Sequence, residues 1–515
     1  MGQGGMRDRT RSQSSESSST PSPDDIELTD TVNAPITPVQ SLAPPTHPYA
    51  PYSAFSPSRK IVIITMATVA AGFSGFASNI YFPAIPTIAD ALGTSVEAIN
   101  LTVTGYMVFQ GLTPTIWGAL SDGFGRRITL LLTLTIFLGA CIGLALTKHF
   151  YQLMILRCLQ STGSASTIAI GAGMIGDITT REERGGVMGV FQAGLLMPMA
   201  LGPVLGGIFS QTLGWRAIFW FLVIWAGVFL TVLALFLPET LRSLVGDGSL
   251  APPPWSKPLL LPPHTPKPPT ASISSRAPSI RPIRIDFLAP VRILFHPEVL
   301  VTLLFLSVHY ATWQASVTAQ AALFAKTYDI SQLNIGLTFL ANGFGCMLGT
   351  LLTGKFLDRD YAAFKKRYNG PDDEYPIEHA RLRLVWILAP LEWFAVLLFG
   401  WTLDKGLHIS APIIASFVLA WSAMSIQSMI NTYLVDIFPK SSASATAALN
   451  LARCLVGAGA TASVEPAIRQ IGEGWTMTLW TGIMVLSSAL VVVQMRYGAA
   501  WRRMREEKEK AKGRR

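Results

Sequence analysis

Charge is what this 515-residue chain has least of: Asp, Glu, Lys and Arg make up 14% of it, while half of its residues are hydrophobic. Soluble domains carry about 25% charged residues, so the deficit excludes an ordinary soluble protein and points to a chain embedded in lipid. Cysteine is scarce as well. Cys141, Cys158, Cys346 and Cys454 all fall in apolar stretches, with neither metal-ligand spacing nor a disulfide framework, so they read as small packing residues and no metal site is expected. A Gly-x-x-x-x-Gly-Lys-Ser/Thr phosphate loop is missing, which disfavours an ATP-driven pump. His296, His309, His379 and His408 are scattered instead of paired with acids at one membrane face, which argues against a membrane enzyme. No cofactor is expected. Residues 1–57 lack the apolar core of a signal peptide, and Met6 stands where N-myristoylation needs Ser or Thr, so the first apolar stretch is expected to target the chain to its membrane.

What the chain does have is long apolar runs. Twelve spans are expected, near 61–82, 99–121, 128–147, 152–176, 185–210 and 216–237, then 299–325, 335–357, 384–403, 411–434, 442–464 and 476–495. The fold class is therefore an all-α polytopic membrane protein with two six-helix halves, 59–240 and 296–496. A Ser/Pro/Thr-rich segment (1–58) precedes the first half and cannot bury enough apolar surface to fold alone, so we expect a disordered cytoplasmic tail. A Pro-rich linker (241–295) separates the halves and a basic tail (497–515) follows the second.

Loop charge supports this count. Loops assigned outside carry almost no Lys or Arg: none in 83–98, then Lys148, Arg216, Lys326, Lys405 and Arg469. The inside set carries Arg126 and Arg127, Arg181 and Arg184, seven basic residues between 242 and 292, six in the 358–383 loop and nine from Arg496 onward. That asymmetry places both termini in the cytoplasm. It also explains the formal net charge of +9 as topology plus attraction to anionic lipid, and no nucleic-acid partner is expected.

Gly118-Ala-Leu-Ser-Asp122-Gly-Phe-Gly125-Arg126-Arg127 puts an acid and an arginine pair on a very short turn between two spans. A weaker copy, Gly354-Lys-Phe-Leu-Asp358-Arg359, follows about 236 residues later. Two such turns in corresponding halves suggest a duplicated transporter.

Over about residues 60–500 the chain resembles the twelve-span drug:proton antiporters of the major facilitator superfamily, of the fungal type. Gly118–Arg127 resembles that family's motif A, and Arg157-Cys-Leu-Gln160-Ser-Thr-Gly163 its motif B. Pro198-Met-Ala-Leu-Gly202-Pro203-Val-Leu-Gly206-Gly207 resembles motif C, and Leu237-Pro238-Glu239-Thr240-Leu241 the end of span six. Asn431–Asp436 through Asn450-Leu-Ala-Arg453-Cys is similar to the quinidine-resistance and organic-acid-exporter branches. Motif A departs at Gly123, where a basic residue is frequent, and motif C at Pro198, where Gly is often found.

The resemblance implies a monomeric, proton-coupled exporter of small molecules at the plasma membrane, working by alternating access. It places Asp122 near the start of span eleven, around Ser441, as part of an inner gate with Arg126, Arg127 and Asp177; ordinary turn solubility would use the same residue types. The small residues and prolines of motif C imply close helix contacts that bend or seal during the cycle.

Arg157 and Arg453 lie within spans, where an unpartnered charge costs a few kcal/mol or more, so each is expected to face a wet cavity, a partner or the substrate. We assign Arg453 to substrate or an acidic partner, and Arg157 with Gln160 to the proton step implied by motif B. His309 is a candidate proton relay, or a neutral ring bonded to a neighbouring helix. Glu392 either pairs with another span or carries a proton. Gln314, Gln320, Asn342, Gln427, Asn431 and Asn450 divide between substrate contact and helix–helix hydrogen bonds. Two deep arginines, without a midplane acid on the cavity-facing spans, favour an organic anion such as a carboxylate. The alternative is a broad multidrug antiporter. A nutrient sensor would share such a sequence and differ only in flux.

Overall fold

The computed structural model describes residues 53–250, 252–260, 288–367, 376–438 and 442–513, and these form helices and short connections with no strand among them. The amino-terminal tail to residue 52, most of the Pro-rich linker and Ser441 lie outside the described residues.

Local chemistry sets the helix ends. α1 (Pro57–Asn79) begins behind Ser56, whose hydroxyl accepts from Arg59 N at 3.4 Å, with Pro57 in the first turn where its missing N–H costs nothing. α2 (Ile85–Leu92) stops at Gly93 in the left-handed conformation, φ 60°. α3 (Val96–Phe124) starts behind Ser95 and ends at Gly125, φ 116°, which reverses the chain into α4 (Arg126–Ala145). α5 (Phe150–Ser164), α6 (Ser166–Ile178), α7 (Arg181–Thr212), α8 (Arg216–Phe236) and the single-turn α9 (Arg242–Val245) complete the first part. The second comprises α10 (Ala289–Leu294), α11 (Pro297–Tyr328), α12 (Gln332–Arg367), α13 (Ile377–Leu382), α14 (Val385–Asp404), α15 (Ser410–Ile437), α16 (Ser442–Ile471) and α17 (Glu473–Gly513).

Ten helical stretches among the described residues are long and apolar enough to cross a bilayer. The other two crossings have different reasons for falling short. α3 has 29 residues, but Thr102, Thr104, Gln110, Thr113 and Thr115 dilute its apolar character. α5 and α6 are short individually, at 15 and 13 residues, yet they meet at Ala165, which keeps helical angles (φ −61°, ψ −33°). Together they make one crossing, so the count reaches twelve.

The halves meet along two seams, α3 against α16 and α7 against α12. On the first, Glu97 pairs with Arg469, Thr104 Oγ1 donates to Ala458 O at 3.4 Å, and Asn450 Nδ2 donates to Gln110 O at 3.0 Å. On the second, Leu333 N donates to Gln211 Oε1 at 3.0 Å. Phe82 stacks on Phe339 nearby, centroids 6.1 Å apart. Except for Asn450, the ninth of the 30 residues of α16, these lie from mid-helix to the end that carries Arg216 and Glu473, here called the far end. At the opposite, basic end, which carries Arg126 and Arg381, Arg126 pairs within the first half and Arg381 within the second. Far-end links therefore join the halves.

α17 runs for 41 residues, about 60 Å of helix, roughly twice a bilayer's hydrocarbon thickness. The tail expected to face lipid instead continues this helix. Its Arg502 pairs with Glu378 at 3.1 Å and its Arg505 with Glu298 at 2.9 Å, all four side chains being at least nine-tenths buried. The arginines serve carboxylates at the starts of α11 and α13 that would otherwise be stranded.

Candidate substrate and coupling site

Arg157 projects from α5 into the first half and is 1% exposed. Its Nη1 donates to Ala77 O of α1 at 3.0 Å and to Gln160 Oε1, one turn on, at 2.6 Å. The guanidinium lies 4.2 Å from the Tyr81 ring centroid and 4.4 Å from that of Tyr106. Both rings are pinned: Tyr81 OH is 2.9 Å from Thr102 Oγ1, and Tyr106 OH is 3.0 Å from Ser164 Oγ and donates to Ser74 O at 3.3 Å. Gln160 is held in turn by donating to Cys141 Sγ at 3.2 Å. Among the described residues no carboxylate reaches Arg157, and its Nε has no partner. Two desolvated cation–π contacts stabilise the charge by about 2 kcal/mol each, which does not replace a counter-ion.

Arg453 is the corresponding group of the second half. It is half-buried on α16, donates to Asn450 Oδ1 at 2.8 Å and lies 4.6 Å from the Tyr310 ring centroid. Asn450 uses its other end to reach Gln110 O across the seam, so the side chain that orients Arg453 also touches the opposite half. Again no carboxylate pairs with the guanidinium among the described residues.

The remaining polar residues separate. Gln314 is buried on α11, and no hydrogen bond joins its side chain to either arginine. Gln320 binds Thr338 and Ser416, and Asn342 accepts from Trp313 Nε1 at 2.9 Å, which makes both of them links between helices. Asn431 accepts weakly from Thr446, at 3.5 Å, toward the basic end. His309 turns to α14, where its Nδ1 lies 2.8 Å from Glu392 Oε2, both residues fully buried.

At the basic end Arg126 gathers the motif A turn. It pairs with Asp122 at 2.5 Å and Asp177 at 3.0 Å, and donates to Ser121 Oγ at 2.6 Å. Asp122 stays half-exposed, and its described partner is Arg126. Arg127 does not meet Asp177; it donates to Leu237 O at 2.9 Å and Ala234 O at 2.7 Å at the end of α8. Beside it, Glu239 accepts from the backbone N–H groups of Arg126, Arg127, Thr240 and Leu241 and from Ser256 Oγ. A carboxylate at the start of α4 satisfies donors the helix itself cannot.

Motif C faces two ways. Pro198 packs on α1, where a Cβ on Gly75 would lie 2.9 Å from the proline ring, and Gly202 and Gly206 sit against Asn79 and Ile80. Gly207 turns to the other half, where a Cβ would lie 2.5 Å from Gln332 O; Pro203 O is as close to a Cβ on Gly336. Helix backbones approach this closely only over small residues.

The tyrosines around the arginines and the role of Glu239 escaped the sequence reading. An aromatic inside a span looks like core, and four of the five donors to Glu239 are backbone groups that leave no trace in a sequence.

A family model described as Major Facilitator Superfamily matches residues 67–461. The chain is 38% identical to Citrate exporter 1 of Aspergillus niger over 88% of its own length and 89% of the relative's. It is 33% identical to the MFS antiporter QDR2 of Candida albicans, covering 83% of this chain and 86% of that one. Among solved structures, the human organic anion transporter MFSD10 aligns over 85% of this chain and 100% of that one, with TM-score 0.54 at 17% identity. A bacterial homologue of the lysosomal transporter Spinster aligns over 87% and 98%, with TM-score 0.57 at 14% identity.

Proposed function

The chain belongs to the major facilitator superfamily, and on that premise we propose that it is a proton-coupled exporter of small organic anions, carboxylates first among them. One observation carries this reading: Arg157 and Arg453, one in each half, are oriented by amide side chains, stacked on tyrosine and, among the described residues, served by no carboxylate. A cation within the bundle without a counter-ion, fully buried at Arg157 and half-buried at Arg453, is matched by an anionic ligand, and guanidinium presents a planar fork that fits a carboxylate. The citrate exporter among its relatives agrees with that chemistry.

In this reading the protein sits in the plasma membrane as a monomer with both termini cytoplasmic, and the basic end faces the cytoplasm. Six-helix units of 59–240 and 296–496 rock about the site. The arrangement described above, joined at the far end, is then the cytoplasm-open state that loads substrate. Asp122, Arg126, Arg127 and Asp177 act at the inner gate, while Pro198, Gly202, Pro203, Gly206 and Gly207 let the helices slide and close. Gln160 and Asn450 aim the arginines, and Gln314 and Asn431 contribute polar surface to the path as it opens.

A broad multidrug antiporter is the second reading, favoured by the QDR relatives. Efflux from cells lacking and overexpressing the protein separates the two, using radiolabelled carboxylates and cationic drugs with and without a proton uncoupler. Carboxylate efflux that collapses with the uncoupler and with Arg453→Ala supports the anion exporter. Efflux of cationic drugs alone, indifferent to Arg453→Ala, supports the multidrug reading.

A further inference from the structure

Glu392 is the eighth residue of the 20 in α14, and His309 the thirteenth of the 32 in α11. The other acids of the spanning helices stand toward helix ends: Glu97 and Glu465 at the far end, and Asp122, Asp177, Glu298 and Asp436 at the basic end. A proton that couples to transport needs a titratable carrier within the bundle, and a guanidinium is not one, because it stays protonated at any physiological pH. That removes Arg157 as the carrier itself, whatever it does electrostatically.

We propose that His309 and Glu392 form a single proton-binding unit, which takes up and releases the coupling proton of the transport cycle. In this unit the proton of the Nδ1–Oε2 contact is placed on Nδ1 and donated to the carboxylate. His309 Nε2 and Glu392 Oε1 have no partner. The incoming proton goes to the Nε2 lone pair, turning a neutral imidazole beside a carboxylate, net charge −1, into an imidazolium–carboxylate pair of net charge zero. One N–H bond forms, at Nε2, and no bond between heavy atoms forms or breaks. Dry packing favours the neutral, protonated pair, since a buried carboxylate without a full counter-charge is expensive. When the bundle opens and water reaches the pair, that preference falls and the proton leaves.

The surroundings leave His309 as the controlling partner. The helices packed around the pair carry further ionisable groups, including Tyr310 on α11, Cys346 on α12, Arg453 and Cys454 on α16, Tyr433 on α15 and Arg496 past the middle of α17, with Glu298, Lys326, Asp404, Asp436, Glu465, Arg469 and Glu473 toward helix ends. Among the described residues, His309 is the group that meets the Glu392 carboxylate, and the Phe305 ring centroid lies 4.4 Å from that of the imidazole. The route to substrate is short: the residue after His309 is Tyr310, whose ring carries Arg453.

This inference rests on the proton-coupled reading, and the test separates the two. Purified protein in liposomes is assayed with radiolabelled citrate in two ways: net flux driven by a pH gradient, and exchange at equal citrate and equal pH across the membrane. Glu392→Gln and His309→Gln are expected to lower gradient-driven flux by about tenfold or more and to flatten the pH dependence of exchange, while exchange at the optimum stays within about twofold. His309→Gln keeps a donor toward Glu392 and serves if Glu392→Gln does not assemble. Gradient-driven flux that survives in either variant overturns the proposal. So does a parallel loss of flux and exchange together with a lower melting temperature, which makes the pair a structural bond. Wild-type protein that exchanges citrate but ignores the gradient overturns proton coupling itself.

Discussion

Asn450 Nδ2 donates to the Gln110 carbonyl across the seam between the halves, at 3.0 Å, while Asn450 Oδ1 receives Arg453 at 2.8 Å. The residue that aims the second arginine is thus also a bolt between α16 and α3. The two duties can be separated. Asn450→Asp keeps the acceptor for Arg453 but gives that arginine a permanent carboxylate and loses the donor to Gln110. We expect it to weaken citrate affinity by about tenfold or more, because the anion then competes with a fixed counter-ion. Citrate competition binding checks it, and unchanged affinity would mean that Arg453 does not meet the substrate.

Glu239 is 2% exposed and accepts from four backbone N–H groups and Ser256. Glu239→Ala leaves those donors without an acceptor, and the expected loss is about 3 kcal/mol of stability, read as a lower melting temperature in detergent. Ser256→Ala removes one donor of five and should cost about 1 kcal/mol.

Gly207→Ala pushes a methyl toward Gln332 O, 2.5 Å from the Cβ position, and so wedges the far-end seam. Phe339, 1% exposed and stacked on Phe82 near that seam, reports the change. In a Phe339→Cys background, Gly207→Ala should raise labelling by a membrane-impermeant maleimide added from outside. Labelling as slow as in the parent would show that the seam absorbs the methyl.

Arg505→Ala strands Glu298, and Arg502→Ala strands Glu378, both carboxylates 1% exposed. Removing one partner of a buried pair costs about 3 kcal/mol or more, so either variant should lower the melting temperature by several degrees. Lys508, exposed on the same helix, is the comparison residue: Lys508→Ala is expected to change it far less.

The sequence made the spans legible because apolar length is a strong signal, and loop charge corroborated it. It did not show the α5–α6 junction at Ala165, where nothing in the local residues marks a change of helix. Arg157 and Arg453 stood out because charge at depth is costly. Their tyrosine partners did not, because an aromatic in a span is ordinary. His309 and Glu392 were each visible as polar residues in a span, but they are 83 positions apart, and only the packing of α11 on α14 brings them together. The buried ion pairs of α17 were hidden for a similar reason: Arg502 and Arg505 belong to a basic tail that reads as solvated until Glu298 and Glu378 are found beneath it.

The central claim, that two unpaired arginines await an anion, is tested most directly by equilibrium binding to the purified protein. Labelled citrate and a labelled permanent organic cation are compared on wild type, Arg453→Gln and Arg157→Gln. The account predicts saturable citrate binding that weakens by about 10- to 100-fold in each variant, and no saturable binding of the cation. Saturable binding of the cation without citrate, or citrate affinity unmoved by both substitutions, would contradict it.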